Sequence, residues 1–139
     1  MYHKVIIVGN LGNDPEMRYT PDGTPVTHFS VATNYRRNRP DGTPYEETTW
    51  FRVTAWRQLA ETCNQYLSKG RQVLVEGRLK PDENGGPRIW TGNDGQPRAS
   101  FEVTALTVKF LGGRGEGADS SISFQEPPPP ELGEDEIPF

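Results

Sequence analysis

Thr48-Thr49-Trp50-Phe51-Arg52-Val53-Thr54-Ala55-Trp56 decides how the chain is read. Side chains alternate across a strand with a period of two. Phe51, Val53 and Ala55 therefore share one apolar face, while Trp50, Arg52, Thr54 and Trp56 share the other. The first face is ready to join a core. The second carries two tryptophans and an arginine that need another purpose. Immediately downstream, Leu59, Cys63, Tyr66 and Leu67 recur at helical spacing with Glu61, Gln65, Ser68 and Lys69 opposite, and Gly70 is expected to stop the helix.

Upstream, Lys4 to Leu11 reads as a strand that is apolar on both faces, with Gly9 marking a bulge or a close backbone approach. A Gly, Asn, Asp and Pro cluster breaks it. Pro25 to Tyr35 alternates as a second strand, with Thr27, Phe29, Val31 and Thr33 on one face and Val26, His28, Ser30 and Ala32 on the other. Arg36 to Glu47 reads as a polar hairpin tip that turns at Pro40-Asp41-Gly42. Beyond the helix come a fourth strand, Gln72 to Lys80, a long loop from Pro81 to Pro97, and a fifth strand, Ala99 to Phe110.

Five strands with one helix between the third and fourth predict an all-β domain, a five-stranded OB-fold barrel, over residues 1–111. In that fold the nucleic-acid face lies on strands two and three with their flanking loops. After Leu111 the composition turns to Gly, Ser, Glu and Pro, so residues 112–133 are expected to form a disordered linker, extended as polyproline II at Pro127 to Pro130. Residues 134–139 then form an acidic tip: Glu134, Asp135 and Glu136 followed by the apolar Ile137, Pro138 and Phe139. Such a tip cannot build a core. It is either an inert solvated tail or a segment offered to a partner.

The 139 residues suffice for one domain with a serviceable core. A single cysteine, Cys63, excludes an internal disulfide and a Cys-based zinc site. The longest apolar run near the start, Val5 to Val8, is too short for a signal peptide, and nothing approaches a membrane span, so a soluble cytoplasmic chain is expected. Residues 1–112 carry 14 Lys and Arg against 12 Asp and Glu, a net of +2, whereas residues 113–139 carry 1 against 7, a net of −6. A mildly basic body with an acidic appendage points toward nucleic acid. Acidic tails also solubilise ordinary domains.

Single-stranded nucleic acid presents flat bases and a charged backbone, which aromatic side chains interleaved with Arg and Lys can engage without reading sequence. Trp50, Arg52 and Trp56 supply that combination on one face of one strand. The competing account places the tryptophans in the core or at a subunit interface, but the opposite face of the strand already supplies a core set. The tip residues Arg36, Arg37, Asn38 and Arg39, bracketed by Tyr35 and Tyr45, repeat the chemistry. Here a simple solvated loop is an equal alternative. Trp90 stands in the second long loop between Arg88 and Arg98, where little core is available to it. Arg78 adds a further cation for phosphate.

No enzymatic constellation emerges, and neither a metal nor a cofactor is expected. His3 and His28 lack companion ligands or a nucleophile. Asp82, Glu83 and Asp94 lie in a Gly-rich loop without fixed spacing, and Gly9 to Gly12 lacks the Lys-Ser/Thr sequel of a phosphate-cradling loop. Cys63 falls on the apolar stripe of the helix and reads as inert.

With these residues in place, the chain resembles the bacterial single-stranded DNA-binding protein family. The resemblance runs through Lys4-Val5-Ile6-Ile7-Val8-Gly9-Asn10-Leu11-Gly12, Asp14-Pro15-Glu16, Arg18-Tyr19 and Gly23. It continues in Trp50-Phe51-Arg52-Val53, Trp56 and Leu59-Ala60-Glu61, then in Tyr66-Leu67-Ser68-Lys69-Gly70, Val73, Val75-Glu76-Gly77 and Leu79. The tip 134–139 is similar to the family's acidic Ile-Pro-Phe ending. The resemblance implies a homotetramer that wraps single-stranded DNA during replication, recombination and repair, in the nucleoid. It also implies docking of the terminal Phe into pockets on genome-maintenance enzymes, with Trp50, Trp56 and Trp90 as base-stacking positions. Trp56 stands where many members have Phe. Arg36-Arg37 replace a common Trp, leaving Tyr35 as the candidate for that stacking site. The hairpin before the last strand carries extra residues around Asp82 to Pro87, and the linker is short. Two other functions fit the residues: an adaptor acting mainly through its tip, and an RNA-binding OB protein, since stacking alone does not distinguish sugars.

Overall fold

A long antiparallel hairpin organises the molecule. In the computed structural model, which describes residues 1–112, strand β3 (Pro25–Asn38) pairs with β4 (Pro44–Trp56) from Val26 opposite Trp56 to Asn38 opposite Pro44. The expected polar tip over 36–47 is therefore mostly strand. Ion pairs across the ladder, Arg36 to Glu46 at 3.8 Å and Arg37 to Glu47 at 3.6 Å, let polar residues continue the sheet. The turn shrinks to 39–43, where the Arg39 N–H donates to the Thr43 carbonyl at 2.8 Å and Asp41 Oδ1 accepts from the Thr43 N–H at 3.0 Å.

Around this hairpin a barrel closes. Strand β1 (Val5–Leu11) pairs with β5 (Gln72–Leu79), β5 with β7 (Pro97–Leu111), β7 in parallel with β4, and β3 returns to β1 through Asn10 opposite Ala32 and Leu11 opposite Val31. The five-stranded barrel of the OB fold, with its helix between the third and fourth barrel strands, is thus present. Closure at β1 and β3 depends on Gly9. A Cβ there would stand 2.2 Å from the Ala32 carbonyl oxygen, so the expected close backbone approach is real.

Two short strands lie outside the five expected. Strand β2 (Glu16–Tyr19) follows the breaker cluster and adds to the edge of β3, and β6 (Arg88–Thr91) pairs with β7 inside the segment expected to be a loop from Pro81 to Pro97. At four residues each, they are too short for a periodicity to be visible. The final strand also begins two residues earlier and ends one later than expected.

Inward-facing residues of every barrel strand form the core: Ile7 and Leu11 from β1, Phe29 and Val31 from β3, Val53 and Ala55 from β4, Val73 and Val75 from β5, and Val103 from β7. Helix α1 (Arg57–Tyr66) joins it through Ala60 and Cys63, and Leu67 follows from the residue after the helix. A buried hydrogen bond from Thr27 Oγ1 to the Ala60 carbonyl, 2.7 Å, ties helix to barrel. Two expectations change here. Tyr66 lies at the helix edge, 37% exposed and tilted against Phe110, while Ala60 and Thr62 turn inward. Gly70 is not the helix stop, because the helix already ends at Leu67, whose backbone is extended; Gly70 instead serves the next turn, closed by Arg71 N–H to the Ser68 carbonyl at 3.1 Å.

Cys63 is free and buried, and burial pushes its thiol up to about 12, which disfavours the reactive thiolate. A thiol reagent such as Ellman's should leave the native protein unmodified at pH 8 and react fully in denaturant. Rapid native labelling would show that the helix does not stay docked.

Candidate nucleic-acid interface

Strand alternation puts Trp50, Arg52 and Trp56 on the outer face of β4, where all three are exposed. Trp50 is 52% and Trp56 38% exposed, which excludes a core role in the monomer. Six residues at about 3.4 Å each separate them by roughly 20 Å along the strand. Thr54, expected on the same open face, is buried at 3%, and its Oγ1 lies 3.1 Å from His28 Nδ1 on the neighbouring strand. It supports the surface rather than forming it.

Register extends the face sideways. Arg52 aligns with Ser30 on β3 and Glu102 on β7, and Thr54 aligns through Thr104 with Arg78 on β5. Directly opposed residues point to the same side of a sheet. Arg78 therefore belongs to the same outer surface as Arg52. An open groove of about 510 Å³ runs here, flanked by His28, Arg52, Lys80, Arg88 and Glu102. Lys80 was not expected to contribute; it ended the fourth strand in the sequence reading, and only the barrel's closure brings it beside Arg52.

Electrostatics in the groove are mixed. Glu102 is buried, and its Oε2 accepts no hydrogen bond, its partner being Arg88 Nη1 at 3.5 Å. Burial, followed by the nearby Arg52, Arg18 and Lys80, holds the His28 pKa below 6.5. His28 is therefore neutral at pH 7 and adds no charge. The sign of the linkage is fixed: the unfolded chain protonates near pH 6.5 before the folded one does, so stability present above that pH declines as acid is added toward the lowered folded value. His28→Gln should remove that part of the loss, as pH-dependent urea melts would reveal; an unchanged profile would contradict the assignment.

The two hairpins differ in preparation. Trp90 on β6 is 40% exposed, and its Nε1–H donates to Ser100 Oγ at 3.1 Å, which fixes the ring on the sheet. Arg88 is partly engaged by Glu102 as described, and Arg98 by Asp94 at 2.8 Å. On the β3–β4 hairpin the guanidinium of Arg37 lies 5.9 Å from the Tyr35 ring and 5.5 Å from the Tyr45 ring, while that of Arg39 lies 4.7 Å from Tyr45. These distances suit cation–π contact. Tyr35, Arg37, Tyr45 and Arg39 thus form an alternating stack. Tyr45 lies between two cations, Arg37 from the opposite strand and Arg39 from the turn. Arg36 and Arg37 each have a carboxylate nearby, so they offer phosphate less net charge than their number implies. Arg39 forms no ion pair among the described residues.

Trp50 has a floor. A Cβ on Gly12 would stand 2.4 and 2.7 Å from two atoms of its six-membered ring, so the indole packs against the bare backbone there while remaining 52% exposed. Gly12→Ala should tilt the ring and alter Trp emission in the free protein. Any binding of oligo-dT should weaken about threefold to tenfold with little change in melting temperature, and an unchanged spectrum and affinity would refute the contact's importance.

Among the described residues no cluster of three or more His, Cys, Asp or Glu could hold a metal ion, and no helix is long and apolar enough to cross a membrane. The tip Glu134 to Phe139 and the linker lie outside the described residues. The surface that is described offers exposed indoles, a tyrosine–arginine stack and several cations, arranged around a mixed groove.

Several known proteins are similar to this chain. A single-stranded DNA-binding protein of Xanthomonas axonopodis pv. citri is 45% identical over 115 residues, which are 83% of this chain and 61% of that protein. The chain thus spans about three-fifths of the length of this curated relative. Among solved structures, the crystal structure of a small single-stranded DNA-binding protein from Streptomyces coelicolor superposes with a TM-score of 0.64 at 29% identity, covering 78% of this chain and 94% of that one. A Plasmodium falciparum SSB in complex with ssDNA gives 0.65 at 28% identity, covering 80% and 96%. The single-strand binding protein family pattern matches residues 2–111, the whole barrel with its hairpins, and the chain belongs to that family.

Proposed function

We propose that the chain binds single-stranded DNA without sequence preference, as a binder and not an enzyme. The observation that carries this reading is the placement of Trp50, Trp56 and Trp90, all more than a third exposed, on surfaces interleaved with Arg52, Arg78 and Arg88. Tyr35, Arg36, Arg37 and Arg39 extend the contact along the β3–β4 hairpin. Aromatic stacking on bases is worth about 1 to 3 kcal/mol each and tolerates every base, while the cations neutralise phosphates. The relative crystallised with ssDNA supports this choice of ligand.

Binding to oligo-dT should weaken as salt rises, with log affinity falling linearly in log salt at about −0.7 per phosphate neutralised. A salt-independent affinity would exclude this mechanism. Competition by an RNA oligomer of matched sequence decides between DNA and RNA as the natural ligand.

Family membership supports a wider reading. Residues 1–111 act as the DNA-binding domain, 112–133 as a disordered linker and 134–139 as a protein-interaction tip. In this account the tip, Glu134, Asp135, Glu136, Ile137, Pro138 and Phe139, recruits replication, recombination and repair proteins in the cytoplasm and nucleoid. A homotetramer is supported by the exposed Ile6 and Val8 on the outer face of β1, an apolar strip that a second copy would cover. Sedimentation should give four times the chain mass; a monomer at micromolar concentration would rule that assembly out. A chain ending at Gly112 should keep DNA binding and lose its partner enzymes. Loss of both would favour the adaptor reading.

A further inference from the structure

Arg57 is the only non-glycine residue with positive φ among the described residues, at 55°. An L side chain in the left-handed region costs energy that a fold keeps only where surrounding structure or function demands it. Glycine would adopt this conformation without penalty. Arg57 follows Trp56 directly, where β4 gives way to α1. The strained turn re-aims the chain so that both side chains line one open groove of about 580 Å³, completed by Thr20, Pro21, Asp22 and Thr24 from the β2–β3 turn.

The contents of this groove suit one nucleotide. Trp56 supplies a stacking face and Pro21 an apolar ring. Arg57 is exposed and forms no ion pair among the described residues, unlike Arg36, Arg37, Arg88 and Arg98. Asp22 lies on the turn side, its carboxyl held below the usual range by hydrogen bonds from the Thr20 side chain and from Thr24, so it is charged at neutral pH. A phosphate is repelled from that wall and drawn toward Arg57. The groove therefore has a direction, with its base-stacking wall and its cation contributed by consecutive residues.

We propose that Arg57 is a phosphate ligand, forming with Trp56 and the β2–β3 turn a nucleotide-binding cleft at the helix end of the DNA path. This deepens the single-stranded DNA reading and rests on it. Backbone strain is retained because the position carries a cation that glycine could not provide.

Three variants test the cleft with oligo-dT at several salt concentrations. Arg57→Gly should melt at or above the wild-type temperature, because strain is relieved, yet bind threefold to tenfold more weakly at low salt. Its salt slope should be shallower by about 0.7 for each cleft engaged. Arg57→Gln should lose the same slope while keeping the strained side chain, and Arg57→Lys should retain it. Unchanged slope and affinity in both Arg57→Gly and Arg57→Gln would overturn the proposal while leaving the wider DNA interface standing. If the wild-type protein fails to bind oligo-dT at all, the DNA reading itself falls.

Discussion

Replacing Trp50 and Trp56 together by alanine should lower the affinity for oligo-dT by roughly 30-fold to 20,000-fold, since each stacked base contributes about 1 to 3 kcal/mol. Both indoles are already open to solvent in the free protein, and neither belongs to the buried cluster formed by Phe29, Val31, Val53 and Val73. Their removal should therefore leave the melting temperature within a few degrees of wild type. This separation of affinity from stability matters, because a tryptophan placed for packing would lose both. Anisotropy of a labelled oligonucleotide reports the affinity without relying on the deleted fluorophores. A loss below threefold with a normal fold would mean that the bases do not stack on β4. Trp90 is a useful third comparison: its indole N–H is bound to Ser100, so its ring is already fixed, and Trp90→Ala should cost less than the double change.

Gly9→Val should produce the largest loss of stability. The glycine sits where β1 meets β3, a junction made by just two residue pairs, and a Cβ at 2.2 Å from the Ala32 carbonyl oxygen cannot be accommodated by a rotamer change because the obstacle is backbone. Val31 Cγ1, itself in the core, lies at 2.9 Å from the same point, so retreat in that direction disturbs packing as well. Overpacking of this kind costs about 3 kcal/mol. For a domain of this size that lowers the melting temperature on the order of 10 to 20 °C. Thermal denaturation followed by circular dichroism gives the answer, and Gly9→Ala should move the midpoint the same way by a smaller amount. A Gly9→Val protein melting with the wild type would show that the barrel can open at this seam without loss.

The barrel was legible because its buried strands alternate. Phe51, Val53 and Ala55 point inward as the period of two requires, and Thr27, Phe29 and Val31 do likewise on the next strand. The β3–β4 tip was obscured because its strands are held by Arg–Glu pairs and a tyrosine–arginine stack, not by an apolar face. Strands β2 and β6 were hidden by brevity, and their pairing partners are determined by tertiary position. Within the interface, Trp50, Arg52 and Trp56 could be read from spacing along one strand. Lys80 and the floor under Trp50 could not, since each depends on a neighbour distant in the chain. Gly12 lies 38 positions before Trp50 in the sequence, and only barrel closure makes them touch. Arg57 gives no signal at all in sequence alone, because its unusual feature is a backbone angle.

The central claim is that exposed indoles engage bases while cations engage phosphate. Titrating the intact protein with oligo-dT while following intrinsic tryptophan fluorescence, first in low salt and then with salt added, tests both halves together. The account predicts strong quenching at saturation, because Trp50, Trp56 and Trp90 all meet bases, followed by recovery of emission as salt displaces the strand. Emission that stays constant through saturating oligo-dT in low salt, or quenching that no concentration of salt reverses, would contradict it.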